Sequence, residues 1–219
     1  MLIDKINDCT SSINELSTLR SNALSLKTYE TSVNKLTTVD TLVTDFVSTV
    51  EEMNKYDFCR TTLSADDLGK MREAITTCAA AVNSMSLNSN DVAAITTVFQ
   101  SQKKVLALLW QSAAKAYVEP IRSYLGIIQT FAANKDEISN LIKALNTGAA
   151  AEPSAAIVRT LVANAKKANA ITSNFQMSAG VRAFLQKAKN GKATYADITD
   201  DVAKWIKDHN LGSRIKLTF

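Results

Sequence analysis

Apolar residues recur at steps of three and four through most of this chain, the spacing of a helix with one buried face. The longest such stretch is the first. Residues 1–55 contain no Gly and no Pro, and Ile6, Cys9, Ile13 and Leu16 set the rhythm. After one shortened step it resumes at Leu19, Ala23 and Leu26. Tyr29, Val33, Leu36, Val39, Val43, Phe46, Val50 and Met53 carry it on. A near-heptad seam of this kind predicts a helix packed against another along its whole length. Unbroken, the helix would run about 80 Å at 1.5 Å per residue. A hairpin broken near residues 27–31 is the alternative; no turn residue stands there, which favours the single helix. The polar positions are rich in Ser and Thr, which compete for backbone hydrogen bonds and make mediocre helix formers. Such a helix depends on packing for its stability.

Residues 56–63 lose the rhythm and read as a connection. Ser64, with Asp67 three positions on, is a relative of the capping box and predicts the next helix start. That helix has the most regular seam in the chain, and Leu68, Met71, Ile75, Cys78, Val82 and Met85 are all expected to be buried. Asn88, Ser89 and Asn90 are expected to end it and cap the next. The following pattern runs Val92, Ile95, Phe99, Leu106, Leu109, Ala113 and Ala116. Pro120 lacks an N–H and predicts a kink or restart at residues 118–120. Ile121, Leu125, Ile128 and Phe131 form a second segment, residues 134–136 suggest a further break, and Ile138, Leu141, Ile142 and Leu145 close the series. Gly148 suits a C-terminal cap. Residues 149–153 form the strongest boundary in the chain.

Shorter helices follow over residues 154–172 and 178–189, the second stopped by Asn190-Gly191. A third, capped by Thr194 or Thr199, carries Val202, Trp205 and Ile206. Asn210-Leu211-Gly212 turns the chain. Residues 214–219 then alternate basic or polar with apolar, a period of two in an otherwise helical sequence. With no strand partner in the chain, this tail is expected either to pack its apolar side chains back onto the last helices or to add to a sheet in another protein.

Composition narrows the class. The chain has 219 residues, of which 46% are hydrophobic, enough to bury a core; six Gly and two Pro suit long helices with few turns. The three cysteines, Cys9, Cys59 and Cys78, form no CxxC or Cys/His set, and Cys9 and Cys78 fall on apolar stripe positions. Residues 105–118, the most apolar run, are interrupted by Gln111, Ser112 and Lys115 and fall short of the ~18 residues that span a membrane. With no signal-like start, these features lead to the expectation of a soluble cytoplasmic protein. Charge is uneven: residues 1–100 hold 8 Lys/Arg against 13 Asp/Glu, a net of −5, whereas the remainder holds 17 against 8, a net of +9.

The search for chemistry returns little. His209 is the only histidine, so one chain cannot build a multi-His metal site, and its place at a predicted helix end favours a structural role. Phosphate-binding glycine loops are absent. Of the acidic pairs Glu51-Glu52, Asp66-Asp67, Asp136-Glu137 and Asp200-Asp201, three stand near predicted helix starts, and all four read as caps or solvated faces. Trp205 reads as a core residue. No catalytic, metal or cofactor-binding residue is expected, and no cofactor.

The sequence therefore predicts an all-α protein: an elongated antiparallel helical bundle or coiled-coil stalk over residues 1–148, a linker at 149–153, and a basic helical lobe over 154–219 with a short extended C-terminal tail. It favours a non-enzymatic assembly or adaptor subunit whose partner is another protein, or a second copy bound through the helical seams. The expected partner-binding residues are Lys187, Lys189, Lys192, Lys204, Lys207, Arg214, Ile215, Lys216, Leu217 and Phe219. An alternative is a nucleic-acid-binding accessory protein using the same basic lobe. The helix, Gly-containing turn and helix between Val181 and His209 have the order of a helix-turn-helix, though the turn is too long. An acidic protein surface is another partner for this lobe, and a helical membrane-active protein is a third reading.

Overall fold

The computed structural model describes the backbone of residues 2–218 and the side chains of residues 12–218; Cys9 and Phe219 thus lie outside the side chains described. Among these residues the protein is all-α, with no strand. Seven helices follow in order: α1 (Leu2–Met53), α2 (Ala65–Asn83), α3 (Ser89–Phe131), α4 (Lys135–Ala150), α5 (Ala155–Ser173), α6 (Ala179–Lys189) and α7 (Asp200–Asp208). Short 3-10 turns occur at Asp57–Cys59 and Tyr195–Asp197. Most helix starts follow the capping rules. Ser64, Ser154, Ser178 and Thr199 each accept a hydrogen bond from the backbone N–H three residues on, satisfying one of the four unpaired donors of a first turn. Asn88 and Asp91 satisfy each other's N–H groups at the start of α3.

The chain forms two compact units. The first comprises Met1–Ser48 and Thr62–Val105. Helix α1 is continuous, without a break at residues 27–31. Its buried line in this unit, Ser32, Val39 and Phe46, steps by seven, with half-buried Tyr29, Leu36 and Val43 beside it. Phe46 meets Phe99 of α3 edge to face, with centroids 5.5 Å apart. The Tyr29 hydroxyl donates to the carbonyl of Val82 near the end of α2, and the Gln102 amide donates to Asp67 near its start. Helix α2 thus runs back between neighbours to which it is tied at both ends.

Two expectations are corrected here. The seam of α1 is not packed along its length: every side chain from Ser12 to Thr28 is exposed, including Ile13, Leu16, Leu19, Leu24 and Leu26. The reason is length, because the 19 residues of α2 cover only about 28 Å, against about 78 Å for the 52 residues of α1. In α2 only Met71 and Cys78 are buried, whereas Leu68, Ile75 and Met85 are exposed and Val82 is half-buried. A stripe with three-and-four spacing is wider than the line that actually touches a neighbour. Helix α2 also ends at Asn83 rather than at Asn88, because Met85 takes a left-handed conformation, φ 53°, which a helix cannot continue.

The second unit comprises Thr49–Thr61 and Leu106–Phe219. Here α3 buries Leu106, Trp110, Ala114 and Val118 at steps of four, so Leu109 and Ala116, expected inside, are exposed. The phase follows Trp110, whose large ring is fully buried, with Phe58 6.2 Å from it and stacked on Tyr117 at 4.0 Å. Pro120 does not restart the helix; α3 runs through it to Phe131, and the break falls before Lys135. Gly148 lies inside α4 rather than capping it. A Cβ there would stand 3.0 Å from Leu161 Cδ1, and the small Ala165 and Ala168 of α5 are also fully buried. These small residues allow close packing of α4 on α5. Residues 149–153, expected as a linker, lie within this unit: Ala149 and Ala150 end α4, and the chain passes from there to α5 over residues 151–154.

The last helices close over a core of Val181, Phe184, Leu185, Ala193, Val202, Trp205 and Leu211, which also takes in Ile127 and Phe131 of α3. The tail forms no strand. It lies along this core with Ile215 and Leu217 half-buried against it, the first of the two arrangements expected from the sequence. Arg214 donates to the Phe131 carbonyl at 2.9 Å, and Thr218 donates from its backbone N–H to Ala193 and from its hydroxyl to Gly191.

Three stability predictions follow from this packing. The Ser32 hydroxyl is fully buried and has no hydrogen-bond partner among the described residues. Ser32→Ala should therefore raise unfolding free energy by about 1 kcal/mol in a denaturant titration; a loss would place an unseen partner on the hydroxyl. Gly148→Val should destabilise by roughly 1–3 kcal/mol, because the buried Leu161 cannot yield. Gly69→Ala, on a helix with nothing within 4 Å, should instead stabilise by about 0.5–1 kcal/mol.

Candidate functional site

The basic residues expected to meet a partner are dispersed by the fold into two sets. One set is engaged internally. Lys187 pairs with Asp197 at 2.6 Å, Arg214 holds the Phe131 carbonyl, and the Lys189 ammonium reaches across α3 to stand 3.5 Å from where a Cβ on Gly126 would lie. Lys192, Lys204, Lys207 and Lys216 make up the other set, and all seven of these basic residues are exposed. Ile215 and Leu217 cover the core of the lobe. The unit that holds all these residues contains 17 Lys/Arg and 11 Asp/Glu, a net charge of +6; the first unit, with 8 against 10, carries −2.

The Lys187–Asp197 pair is part of a small cap. Thr194 donates to Asp197 from its backbone N–H at 2.8 Å and from its hydroxyl at 3.0 Å. The hydrogen bond from Lys187, followed by these two, holds the Asp197 carboxyl down at about 2. The cap fixes the turn between α6 and α7, and Gly191 (φ 65°) supplies the left-handed residue that ends α6.

His209 is the C-cap of α7. Its Nδ1 lies 2.8 Å from the Trp205 carbonyl and its Nε2 3.2 Å from the Asn174 carbonyl, while the ring stacks on Trp205 at 4.2 Å. It links α7 to the end of α5. Trp205 is a core residue, and its indole N–H donates to the Gln176 carbonyl.

The acidic pairs at residues 66–67, 136–137 and 200–201 stand in first turns, where carboxylates offset the helix dipole. Glu52 departs from the expected solvated face. It is buried, with Lys55 at 2.8 Å, the Tyr56 hydroxyl donating at 3.3 Å and Arg159 of α5 at 3.8 Å. The Lys55 hydrogen bond holds its carboxyl below the usual range, and burial together with Glu52 pushes the Tyr56 phenol up. The cluster joins the end of α1 to α5 as a charge-satisfied contact. Burial pushes the Cys59 thiol up to about 11 and raises that of Cys78 as well, so both stay protonated and poorly nucleophilic. No group of three or more His, Cys, Asp or Glu able to hold a metal occurs among the described residues.

Arg182 belongs to the basic residues of the C-terminal region but was not among those expected to bind a partner. Its guanidinium lies 4.8 Å over the Tyr124 ring, and Tyr124 donates in turn to the Phe175 carbonyl. Arg182, Ser123 and Ile127 line both of two adjoining clefts, of about 290 and 640 Å3, with no acidic residue in either lining. Tyr124 and Arg182 are far apart in sequence, and no spacing rule joins them. Among the described residues, apolar side chains stay uncovered at the start of α1, at Leu68 and Ile75 of α2, and at Val105, Leu108 and Leu109 on one side of α3. No described helix is long and apolar enough to cross a membrane.

The low Asp197 value sets a pH test. A carboxyl depressed in the folded state contributes stability above its ordinary pKa near 4, and that contribution is lost as pH falls toward about 2. Asp197→Asn should lower stability at neutral pH and flatten its decline between about pH 4 and pH 2, read as denaturation midpoints across that range. An unchanged slope would mean that the Lys187–Thr194 cap does not hold in solution.

Compared with known proteins, the chain matches no family model, no curated protein and no solved structure.

Proposed function

We propose that this chain is a non-enzymatic assembly or adaptor subunit acting through protein–protein contact within a larger complex, in a reducing compartment such as the cytoplasm. The observation that carries this reading is the start of α1. Ile13, Leu16, Leu19, Leu24 and Leu26 are between 58% and 66% exposed, on a helix whose Ser/Thr-rich composition makes it marginal alone. Apolar surface in that concentration is a feature of interaction sites, whereas single exposed aliphatics are ordinary. Free, buried Cys59 and Cys78 suit a reducing compartment.

A second reading, contact with nucleic acid through the C-terminal lobe, is supported by the +6 charge of its unit and by exposed Lys192, Lys204, Lys207 and Lys216. Binding of that kind would weaken steeply with salt, because each neutralised phosphate releases counterions.

The assembly reading is tested by Leu16→Ser with Leu19→Ser. Both positions are exposed, so unfolding free energy should change by no more than about 0.5 kcal/mol. In an extract of the native host, size-exclusion with cross-linking should show the wild-type chain in a complex and the double variant alone. A wild-type chain that migrates by itself at 23.8 kDa would remove the proposal.

A further inference from the structure

The uncovered start of α1 carries a pattern that names its occupant. Leu16 and Ala23 share one heptad position, and Leu19 and Leu26 share the other; counted back by seven, Cys9 and Ser12 precede them. None of these six positions is charged. Leu16, Leu19 and Leu26 are 66%, 64% and 59% exposed, and the packing of α1 on its own chain begins only at Tyr29. At about 100° per residue, Leu16, Leu19, Ala23 and Leu26 fall within roughly 80° of the helix circumference, the width of one seam.

The flanks of this seam are segregated by sign. On one side stand Asp8, Glu15 and Asn22, and on the other Ile13, Arg20 and Lys27. In a parallel, in-register pair each residue of the first flank faces the residue five positions later on the second flank of the other copy. That brings Glu15 to Arg20 twice, once from each copy, and sets Asp8 against Ile13 and Asn22 against Lys27. In an antiparallel pair each flank meets itself. Glu15 could then meet only Asp8, Glu15 or Asn22, and Arg20 only Ile13, Arg20 or Lys27, so every register is neutral or like-charged.

Building on the assembly reading above, we propose that the start of α1 pairs in parallel and in register with the same segment of a second copy of this chain. The contact has two-fold symmetry, so one surface serves both copies. It covers Leu16, Leu19 and Leu26 and supplies the packing that a Ser/Thr-rich helix needs.

The test uses the full-length chain. Sedimentation equilibrium should give about twice 23.8 kDa. Glu15→Arg alone should raise the dissociation constant about tenfold, since two attractive pairs become repulsive, and adding Arg20→Glu should restore it. Cys9 then faces Cys9 across the seam, so mild oxidation should link the two chains through that residue, and Cys9→Ser should abolish the link. A two-chain species in which Cys9 does not cross-link, or in which the charge swap fails to rescue, overturns the parallel register. A single-chain mass for the isolated protein, with a complex in native extracts that Leu16→Ser/Leu19→Ser dissolves, overturns pairing with a second copy and leaves the assembly reading standing. A single-chain mass in both settings overturns the two together.

Discussion

A narrow line of side chains runs along the packed part of helix α1, joined near its end by buried Thr49 and Glu52. Ser32, Val39, Phe46 and Met53 follow one another at seven-residue steps and are all buried. The composition of the helix gives it little intrinsic stability, so this line sets which part of it is packed and which part stands free. The fully buried Ser32, within a turn of half-buried Tyr29, marks where cover begins. A hydroxyl without a partner at that position is a local cost in the seam, tolerated beside the aromatic contact that Phe46 makes with Phe99.

The second unit solves the same problem with more contacts per residue. Trp110 with Phe58 and Tyr117 forms one aromatic centre, close packing of α4 on α5 around Gly148 and Leu161 a second, and the Trp205 core a third. The C-terminal lobe is built onto α3, because Ile127 and Phe131 belong to its core and Arg214 returns to the Phe131 carbonyl. Two of the polar groups that enter these regions are matched, whereas the buried Trp110 indole N–H finds no partner among the described residues. Glu52 has a lysine, a phenol and an arginine around it, and the Trp205 indole finds the Gln176 carbonyl. The side chains that could have suggested chemistry, His209, Asp197 and the buried thiols, are thus occupied with holding the fold.

On the assembly reading proposed above, the surfaces open to a partner are an aliphatic row on α1, a shorter row on α3, and lysines on a unit of positive charge. Surface of this kind recognises other macromolecules by area and charge. In the proposed pairing, the sign-segregated flanks of the α1 row would add specificity to an otherwise adhesive stripe, since they distinguish one orientation of a partner helix from the other.

The helical class, the single long first helix, the cap at Ser64, the helix starts near Ser154 and Ser178, a threonine cap before α7, and the stop at Asn190-Gly191 were legible in the sequence. Each rests on local physics, because periodicity, side-chain capping and left-handed glycine act within a few residues. Which members of an apolar stripe are buried was not legible. Ile75 and Leu109 keep the same spacing as their buried neighbours yet face outward, because burial needs a second element alongside, and the lengths and phases of the neighbours decide that. Gly148 looked like a cap because a glycine near a helix end usually is one; only the approach of Leu161 gives it a packing role. Arg182 over Tyr124 and Arg159 beside Glu52 join residues far apart in the chain, and no local rule reaches that distance. The alternation in the tail was visible in the sequence, whereas its docking onto the lobe instead of a strand pairing depended on the exposed edge of a core that exists only once α3, α6 and α7 have come together.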